Sequence, residues 1–104
     1  MSDSLHRLSE TIASRKQADP DSSWTARLLG QGPEKCAEKF GEEAIEAIIE
    51  AVKGDRETLT REAADVLYHL FVMLASRDLG LNDVLAELER REGTSGIAEK
   101  AARK

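Results

Sequence analysis

The sequence predicts an all-α protein, a single domain of residues 1–104 folded as a bundle of four to five helices. Of the 104 residues, 40% are hydrophobic, 34% are charged and 4% are aromatic, which is typical of helical globular proteins. Apolar residues recur at helical spacing along most of the chain, and short breaks that contain Gly or Pro separate the helical segments. Because no stretch alternates apolar and polar residues as a strand does, the sequence favours helices alone.

Two helices are predicted before residue 33. The first covers about residues 3–17 and has an apolar stripe at helical spacing, formed by Leu5, Leu8, Ile12 and Ala13. Residues 19–23 are rich in turn formers, and the hydroxyl of Ser23 can cap the next helix. That short helix contains Trp24 and is closed by Gly30 and Gly32.

The third predicted helix begins at Pro33, which suits a first helical turn, and ends near Lys53, where Gly54 is a natural C-cap. Its apolar face is broad and consists of Cys36, Phe40, Ala44, Ile45, Ile48, Ala51 and Val52. The remaining arc has one base and four acids, namely Lys39, Glu42, Glu43, Glu46 and Glu50. Such crowded acids indicate either a solvated face or a cation site.

The fourth predicted helix follows residues 55–57 and ends at Gly80. From Ala63 to Ala75 it is apolar around nearly its whole circumference, which predicts a helix buried in the middle of the bundle. Asn82 is predicted to cap a fifth helix that ends at Gly93, and a short tail helix is predicted from Ile97 to Arg103.

Two acidic pairs dominate the middle of the chain, Glu43-x-x-Glu46 on the third helix and Glu62-x-x-Asp65 on the fourth. Carboxylates three residues apart lie on one face of a helix, so two such helices folded back on each other would form one acidic pocket. A carboxylate buried without a partner costs several kcal/mol. Because no Lys or Arg occurs between Glu62 and Ala75, a metal ion, a proton or a cation from another segment has to balance the charge.

Clustered carboxylates without a Cys or a pair of His residues select Mg²⁺ or Mn²⁺ over zinc or copper. The chemistry that uses such a site is displacement at phosphorus, with a spare acid, Glu42 or Glu50, to accept a proton from water. His69 follows Asp65 by four residues and is interpreted as a buried, hydrogen-bonded structural residue. A di-iron bundle is excluded because the sequence lacks Glu-x-x-His. The residues alone leave a metal site and a charge-lined interaction module equally open.

The net charge of −5 argues against general binding to nucleic acid or to an anionic membrane. The N-terminus is polar and no apolar run approaches the length of a membrane span, so a cytoplasmic protein is expected. The single Cys36 is predicted to be a reduced core residue, since it has no partner for a disulfide.

Five segments resemble one known family when they are taken in chain order. They are residues 23–29 (Ser-Trp-Thr-Ala-Arg-Leu-Leu), 32–39 (Gly-Pro-Glu-Lys-Cys-Ala-Glu-Lys), 41–46 (Gly-Glu-Glu-Ala-Ile-Glu), 62–72 (Glu-Ala-Ala-Asp-Val-Leu-Tyr-His-Leu-Phe-Val) and 91–100. Together they resemble the phosphoribosyl-ATP pyrophosphohydrolase family of histidine biosynthesis, within the all-α MazG-type nucleoside triphosphate pyrophosphatase superfamily. The family pattern expects Tyr at the position of Trp24, a change that leaves the acidic motif untouched.

The resemblance implies a set of functional residues and a reaction. The superfamily motif falls on Glu43, Glu46, Glu62 and Asp65, which are implied as ligands of Mg²⁺ or of Mn²⁺ in its place, and Glu42 matches the acid that often precedes the motif. The implied reaction converts 1-(5-phosphoribosyl)-ATP to 1-(5-phosphoribosyl)-AMP and pyrophosphate. The implied assembly is a homodimer or a larger homo-oligomer.

The resemblance does not assign the substrate contacts. Lys39, one turn before Glu43, is the first candidate for a phosphate contact, followed by Lys35, Arg15 and Arg27. A lysine beside four acids is equally explained as their salt-bridge partner. Trp24 is a candidate for stacking on adenine, although a lone Trp is more often a core residue and the core is the favoured interpretation.

Two alternatives stay open. A general nucleoside triphosphate pyrophosphatase of the same superfamily would share the acidic motif, whereas the Ser-Trp-Thr segment and the tail favour phosphoribosyl-ATP. A non-catalytic helical dimerisation module would use the acidic face to bind a basic partner.

Overall fold

The computed structural model describes residues 3–93 together with residues 96 and 100, and it confirms the all-α prediction. Within residues 3–93, five α-helices follow one another: α1 (Asp3–Ser14), α2 (Trp24–Gly30), α3 (Pro33–Lys53), α4 (Arg56–Ala75) and α5 (Leu81–Arg90). A single 3₁₀ turn, Arg15–Gln17, extends α1. The predicted tail helix lies outside the described residues, apart from Lys100. No helix within the described part of the chain combines the length and apolar character that a membrane span requires.

The hairpin formed by α3 and α4 is the largest unit of the fold. Gly54 adopts the left-handed conformation (φ 84°) that ends α3, and its amide donates to the carbonyl of Glu50 at 3.0 Å. The next residue, Asp55, caps α4 by accepting a hydrogen bond from the amide of Thr58 at 3.1 Å. The connection is therefore two residues long, which makes the two helices antiparallel neighbours.

The hydrophobic core lies at the end of this hairpin that is remote from its connecting loop. It draws on every α-helix and consists of Ile12, Leu28, Cys36, Phe71, Val72, Ala75 and Leu81. The prediction that Cys36 is a core residue is confirmed, and burial raises the pKa of its thiol, although a hydrogen bond with Ser76 opposes that shift. Because α1 and α2 pack on the C-terminal half of α4, that half has the buried side chains.

The prediction that α4 is buried around its whole circumference is wrong for its N-terminal half. Ala63, Ala64, Asp65 and Leu67 are exposed, whereas Phe71 and the residues around it are buried. The reason is tertiary: α1 and α2 cover only one end of the hairpin. The segment from Ala63 to Leu67 is therefore not buried within a single chain, although its residues are mostly apolar.

The broad apolar face of α3 also remains largely uncovered in the single chain. Val52 is 83% exposed and Ile48 is 61% exposed, and Ile45 and Ile49 are exposed as well. The side chains of α3 that are least exposed form a different stripe, which includes Cys36, Lys39, Phe40, Glu43, Ala47 and Glu50. The covered stripe thus includes Glu43 and Glu50 of the acidic arc together with Cys36, Phe40 and Ala44 of the predicted apolar face. The rest of that face, from Ile45 onward, is exposed, as are Glu42 and Glu46.

Two helix boundaries differ from the prediction. Helix α4 ends at Ala75 rather than at Gly80, because a turn follows in which Asp78 adopts φ 62° and Lys16 donates to the carbonyl of Ala75 at 3.0 Å. Helix α5 is capped at Gly80 rather than at Asn82. The carboxylate of Asp83 accepts a hydrogen bond from the Gly80 amide at 2.8 Å, which includes Asn82 in the first turn.

We predict that Leu28→Ala lowers the free energy of unfolding by about 2–5 kcal/mol, because Leu28 is 1% exposed and its truncation leaves a cavity. The matched control is Leu79→Ala, since Leu79 is 45% exposed and loses fewer contacts. Urea unfolding followed by circular dichroism, at one fixed protein concentration, measures both. Equal losses in the two variants would contradict the position of the core given above.

Candidate active site

The α3–α4 hairpin brings together three of the four carboxylates predicted as metal ligands. Glu43 lies on α3 and Glu62 and Asp65 lie on α4, and one oxygen of each is within 4.8 Å of the others. Glu62 and Asp65 are one turn apart on α4, and the antiparallel packing brings Glu43 opposite them. The prediction that two helices folded back on each other form one acidic pocket is therefore correct for these three residues.

This acidic group lies at the border between the packed and the uncovered halves of the hairpin. Glu43 and Glu62 are half-buried, whereas Asp65 is exposed, so the expectation that Asp65 lies in an apolar interior is wrong for the single chain. Glu62 lies one turn nearer the loop and is still half-buried, so the exposure of Asp65 reflects its place on the circumference of α4. The need for a counter-ion therefore rests on the mutual proximity of the acids and on the burial of Glu62.

Glu62 is the electrostatic centre of the group. Partial burial raises the pKa of its carboxyl, and the negative charge of Glu46 and a hydrogen bond shared with it raise the pKa further, ahead of the charges of Asp65 and Glu43. Glu62 therefore keeps its proton to a higher pH than an ordinary glutamate does, unless a cation takes the place of that proton.

One oxygen of this group has no partner within the described part of the chain. Glu62 Oε1 is buried and accepts no hydrogen bond there. A buried carboxylate oxygen without a donor is costly unless a cation approaches it. Because the neighbouring acids, Glu43 and Asp65, offer only hard oxygen atoms, the group fits a divalent ion of the Mg²⁺ type better than a soft metal.

The remaining acids of α3 take different positions. Glu46 is exposed and lies close enough to Glu62 to share a hydrogen bond with it, yet it is outside the group of three. Glu42 forms an ion pair with Lys39 at 3.3 Å, and Glu50 pairs with Lys53 at 3.8 Å nearer the end of α3.

The predicted cationic contacts are spread over three elements. Lys39 lies one turn before Glu43 on the same arc of α3, whereas Lys35 pairs with Glu38 at 3.4 Å in the first turns of that helix. Arg15 begins the 3₁₀ turn, and Arg27 lies on α2, where its Nε donates to the carbonyl of Pro20 at 3.4 Å. Lys39 is therefore the predicted cation that is nearest along the helix to the acidic group.

Trp24 is not a core residue, and the favoured interpretation of this side chain is wrong. It is the first residue of α2 and is 53% exposed. The cap predicted for this helix is confirmed, because the hydroxyl of Ser23 accepts a hydrogen bond from the amide of Ala26 at 3.1 Å. A capped helix start thus presents a flat aromatic surface that the fold does not use for its own packing.

His69 is buried, at 7% exposure, as predicted. However, its Nδ1 has no hydrogen-bond partner among the residues that the structure describes. Its ring instead lies edge-on to the ring of Tyr68, with the ring centroids 4.9 Å apart. Tyr68 in turn is hydrogen-bonded through its hydroxyl to the hydroxyl of Thr25 on α2. No sequence motif identified this tyrosine as functional, although its position three residues after Asp65 was a usable signal.

The comparisons with known proteins agree on one family. A family model described as phosphoribosyl-ATP pyrophosphohydrolase matches residues 5–92. A phosphoribosyl-ATP pyrophosphatase of Dinoroseobacter shibae is 79% identical over 99 residues, which cover 95% of this chain and 97% of the relative. A relative of the same name from Cereibacter sphaeroides is 76% identical and the match covers 95% of this chain and 96% of the relative. Another, from Paracoccus denitrificans, is 75% identical and the match covers 96% of this chain and 93% of the relative. The chain therefore belongs to the phosphoribosyl-ATP pyrophosphohydrolase family.

Proposed function

We propose that this protein hydrolyses 1-(5-phosphoribosyl)-ATP to 1-(5-phosphoribosyl)-AMP and pyrophosphate, a step of histidine biosynthesis. The observation that supports the proposal most directly is the group of Glu43, Glu62 and Asp65, in a chain that matches the family model over residues 5–92. The free, buried Cys36 agrees with a reducing compartment, and we propose the cytoplasm.

Glu43, Glu62 and Asp65 are the residues that would hold Mg²⁺, or Mn²⁺ in its place, and Glu46 beside Glu62 is the fourth ligand that we propose. When bound, such an ion neutralises phosphate charge and lowers the pKa of a water molecule. Glu42 and Glu50 are the two spare acids that we propose for accepting the proton of that water. Each forms an ion pair on α3, Glu42 with Lys39 at 3.3 Å and Glu50 with Lys53 at 3.8 Å.

The remaining proposed contacts bind the two ends of the substrate. Lys39 would bind a phosphate oxygen, and its ion pair with Glu42 holds the ammonium group near the acids until the substrate arrives. The exposed indole of Trp24 suits stacking on adenine. Lys35, Arg15 and Arg27 are the further cations that we propose for contacts with the phosphate groups.

A second copy of this chain is the partner that we propose for the uncovered half of the hairpin. Its exposed apolar side chains are Ile45, Ile48, Ile49, Val52 and Leu67, which come from both helices. Monomeric proteins rarely leave so continuous an apolar surface in water, and a symmetric partner would cover it with the same face.

We predict that the purified protein with Mg²⁺ releases pyrophosphate from phosphoribosyl-ATP and not, at a comparable rate, from the common nucleoside triphosphates. An enzyme-coupled pyrophosphate assay measures both. Equal release from the common triphosphates would support the general pyrophosphatase instead. Release from none of the nucleotides, with or without the ion, would leave the non-catalytic dimer as the correct description.

We predict that Glu62→Gln lowers kcat by about a hundredfold or more, because it removes a metal ligand with little change in shape. In the same variant, the rise in melting temperature that Mg²⁺ gives the unmodified protein should disappear. Glu89→Gln, on the exposed side of α5, is the control for the change in charge and should retain both properties. An unchanged response to Mg²⁺ in Glu62→Gln would exclude Glu62 as a ligand.

The raised pKa of Glu62 predicts a specific pH dependence for the protein in EDTA. As the pH rises through about 4.5, the carboxyl of Glu62 loses its proton in the unfolded chain. In the folded chain it keeps the proton to a higher pH. The contribution of Glu62 to stability is therefore complete below a pH of about 4.5 and is lost as the pH rises through the raised pKa. The melting temperature of Glu62→Gln, relative to the unmodified protein, should rise across this window. A constant difference would contradict the assignment.

We predict that Ile48→Asp dissociates the assembly, because each copy would bury a carboxylate against an apolar face. Leu88→Asp places the same charge at an exposed leucine of α5 and should leave the assembly intact. Sedimentation equilibrium measures the mass of each variant. A monomeric unmodified protein, or an Ile48→Asp variant that keeps the larger mass, would contradict the proposal.

A further inference from the structure

Helix α2 is anchored to the α3–α4 hairpin at both of its ends. Near its C-terminus, the thiol of Cys36 donates a hydrogen bond to the carbonyl of Leu28, with 3.4 Å between the sulphur and the oxygen. In its first turn, the hydroxyls of Thr25 and Tyr68 are hydrogen-bonded to each other, and both groups are partly buried. Since a helix of seven residues is marginal by itself, these tertiary contacts fix its orientation.

The bond between Thr25 and Tyr68 is made on α4, the helix that also has Glu62 and Asp65. Tyr68 follows Asp65 by three residues, which corresponds to a rise of about 4.5 Å along α4 and to adjacent positions on its surface. The tyrosine ring packs edge-on against His69, which is 7% exposed, and this contact restricts the movement of the ring. The phenol group of Tyr68 is therefore held in place about one helical turn along α4 from Asp65.

The hydrogen bond between Thr25 and Tyr68 affects the position of Trp24. Trp24 directly precedes Thr25, and its exposed side chain has no role in the core. The capping bond of Ser23 fixes where α2 begins, but it acts within α2 and does not tie the helix to α4. Within the described residues, the hydrogen bond between Thr25 and Tyr68 thus links the start of α2, and Trp24 with it, to α4.

We propose that Thr25 and Tyr68 are positioning residues that fix the start of α2, and Trp24 with it, relative to the acidic group on the hairpin. The indole then stacks on the purine while the carboxylates hold the ion at the phosphate chain. This inference rests on the proposed function for the identity of the nucleotide. Losing one neutral hydrogen bond changes an equilibrium constant by about 2- to 10-fold. The effect is expected on the binding of the substrate rather than on the chemical step.

Kinetics of Tyr68→Phe and Thr25→Val test the proposal, because each removes one hydroxyl and keeps the shape of the side chain. Each variant should raise KM for phosphoribosyl-ATP by about 2- to 10-fold, with kcat within about twofold of the unmodified protein. The double variant should be no worse than either single one, since both remove the same bond. Thr60→Val is the matched control: its hydroxyl bonds to the carbonyl of Arg56 within α4, at 2.8 Å, and its loss should change nothing.

The fluorescence of Trp24 gives a second measurement that needs no turnover, because the sequence contains a single Trp. With Mg²⁺ present, phosphoribosyl-AMP should quench this fluorescence in the unmodified protein, and its Kd should be about 2- to 10-fold weaker in Tyr68→Phe and Thr25→Val. Absence of quenching in the unmodified protein would overturn the inference. Wild-type Kd and KM in both variants would overturn it as well.

A structural role for the pair predicts a different result. If the two variants lost kcat and helical circular dichroism together, the bond would support the fold and not the indole, and the inference would be wrong. Failure of the proposed function is separable from both outcomes. A protein that releases no pyrophosphate, but whose quenching by the nucleotide weakens on loss of either hydroxyl, would retain the positioning role and lose the assigned reaction.

Discussion

Repulsion among the carboxylates is the constraint on which the rest of this structure depends. Three acids from two helices approach within 4.8 Å of one another, and a fourth adjoins Glu62. Like charges at this separation oppose the packing of the helices that bear them, so other contacts have to hold the hairpin closed. The short connection through Gly54 and Asp55 closes one end, and the apolar contacts around Cys36 and Val72 close the other.

The core is displaced to one end of the hairpin, and that displacement determines what α3 and α4 can do. Around Val72 the interior excludes water completely, since this side chain has no exposed surface. An unpaired group of acids could not remain ionised in such a place. Toward the loop, the helices lie against each other without a third layer within the described residues, and the carboxylates there retain contact with water.

The sequence predicted local structure well because caps act over a few residues. The positions of Ser23, Pro33 and Gly54 defined helix ends, and the structure shows each of them in that role. Asn82 failed as a cap because Asp83 bonds back to the amide of Gly80 and competes for the same end. A choice between neighbouring polar residues depends on geometry that spacing does not specify.

The sequence was less informative about which helix face turns inward. The apolar stripe of α3 that includes Ile48 was the natural core face, yet in the single chain Ile48 is exposed and Glu43 is half-buried. A hydrophobic pattern records every surface that becomes buried, including surfaces buried against another molecule, and so it does not separate the two cases. The acidic motif predicted the meeting of Glu43, Glu62 and Asp65 correctly, since only spacing and an antiparallel hairpin were required. The contact of Tyr68 with Thr25 joins residues 43 positions apart, which no local pattern specifies.

The position of the acids at the border of the packed region reconciles two opposing requirements. Ligands of an ion that acts on phosphates have to be open to a highly charged substrate, which favours exposure such as that of Asp65. Strong electrostatic action needs a low local dielectric, which favours burial such as that of Glu62 Oε1. Because Glu62 is half-buried and Asp65 is exposed, residues one turn apart on the same helix meet both requirements.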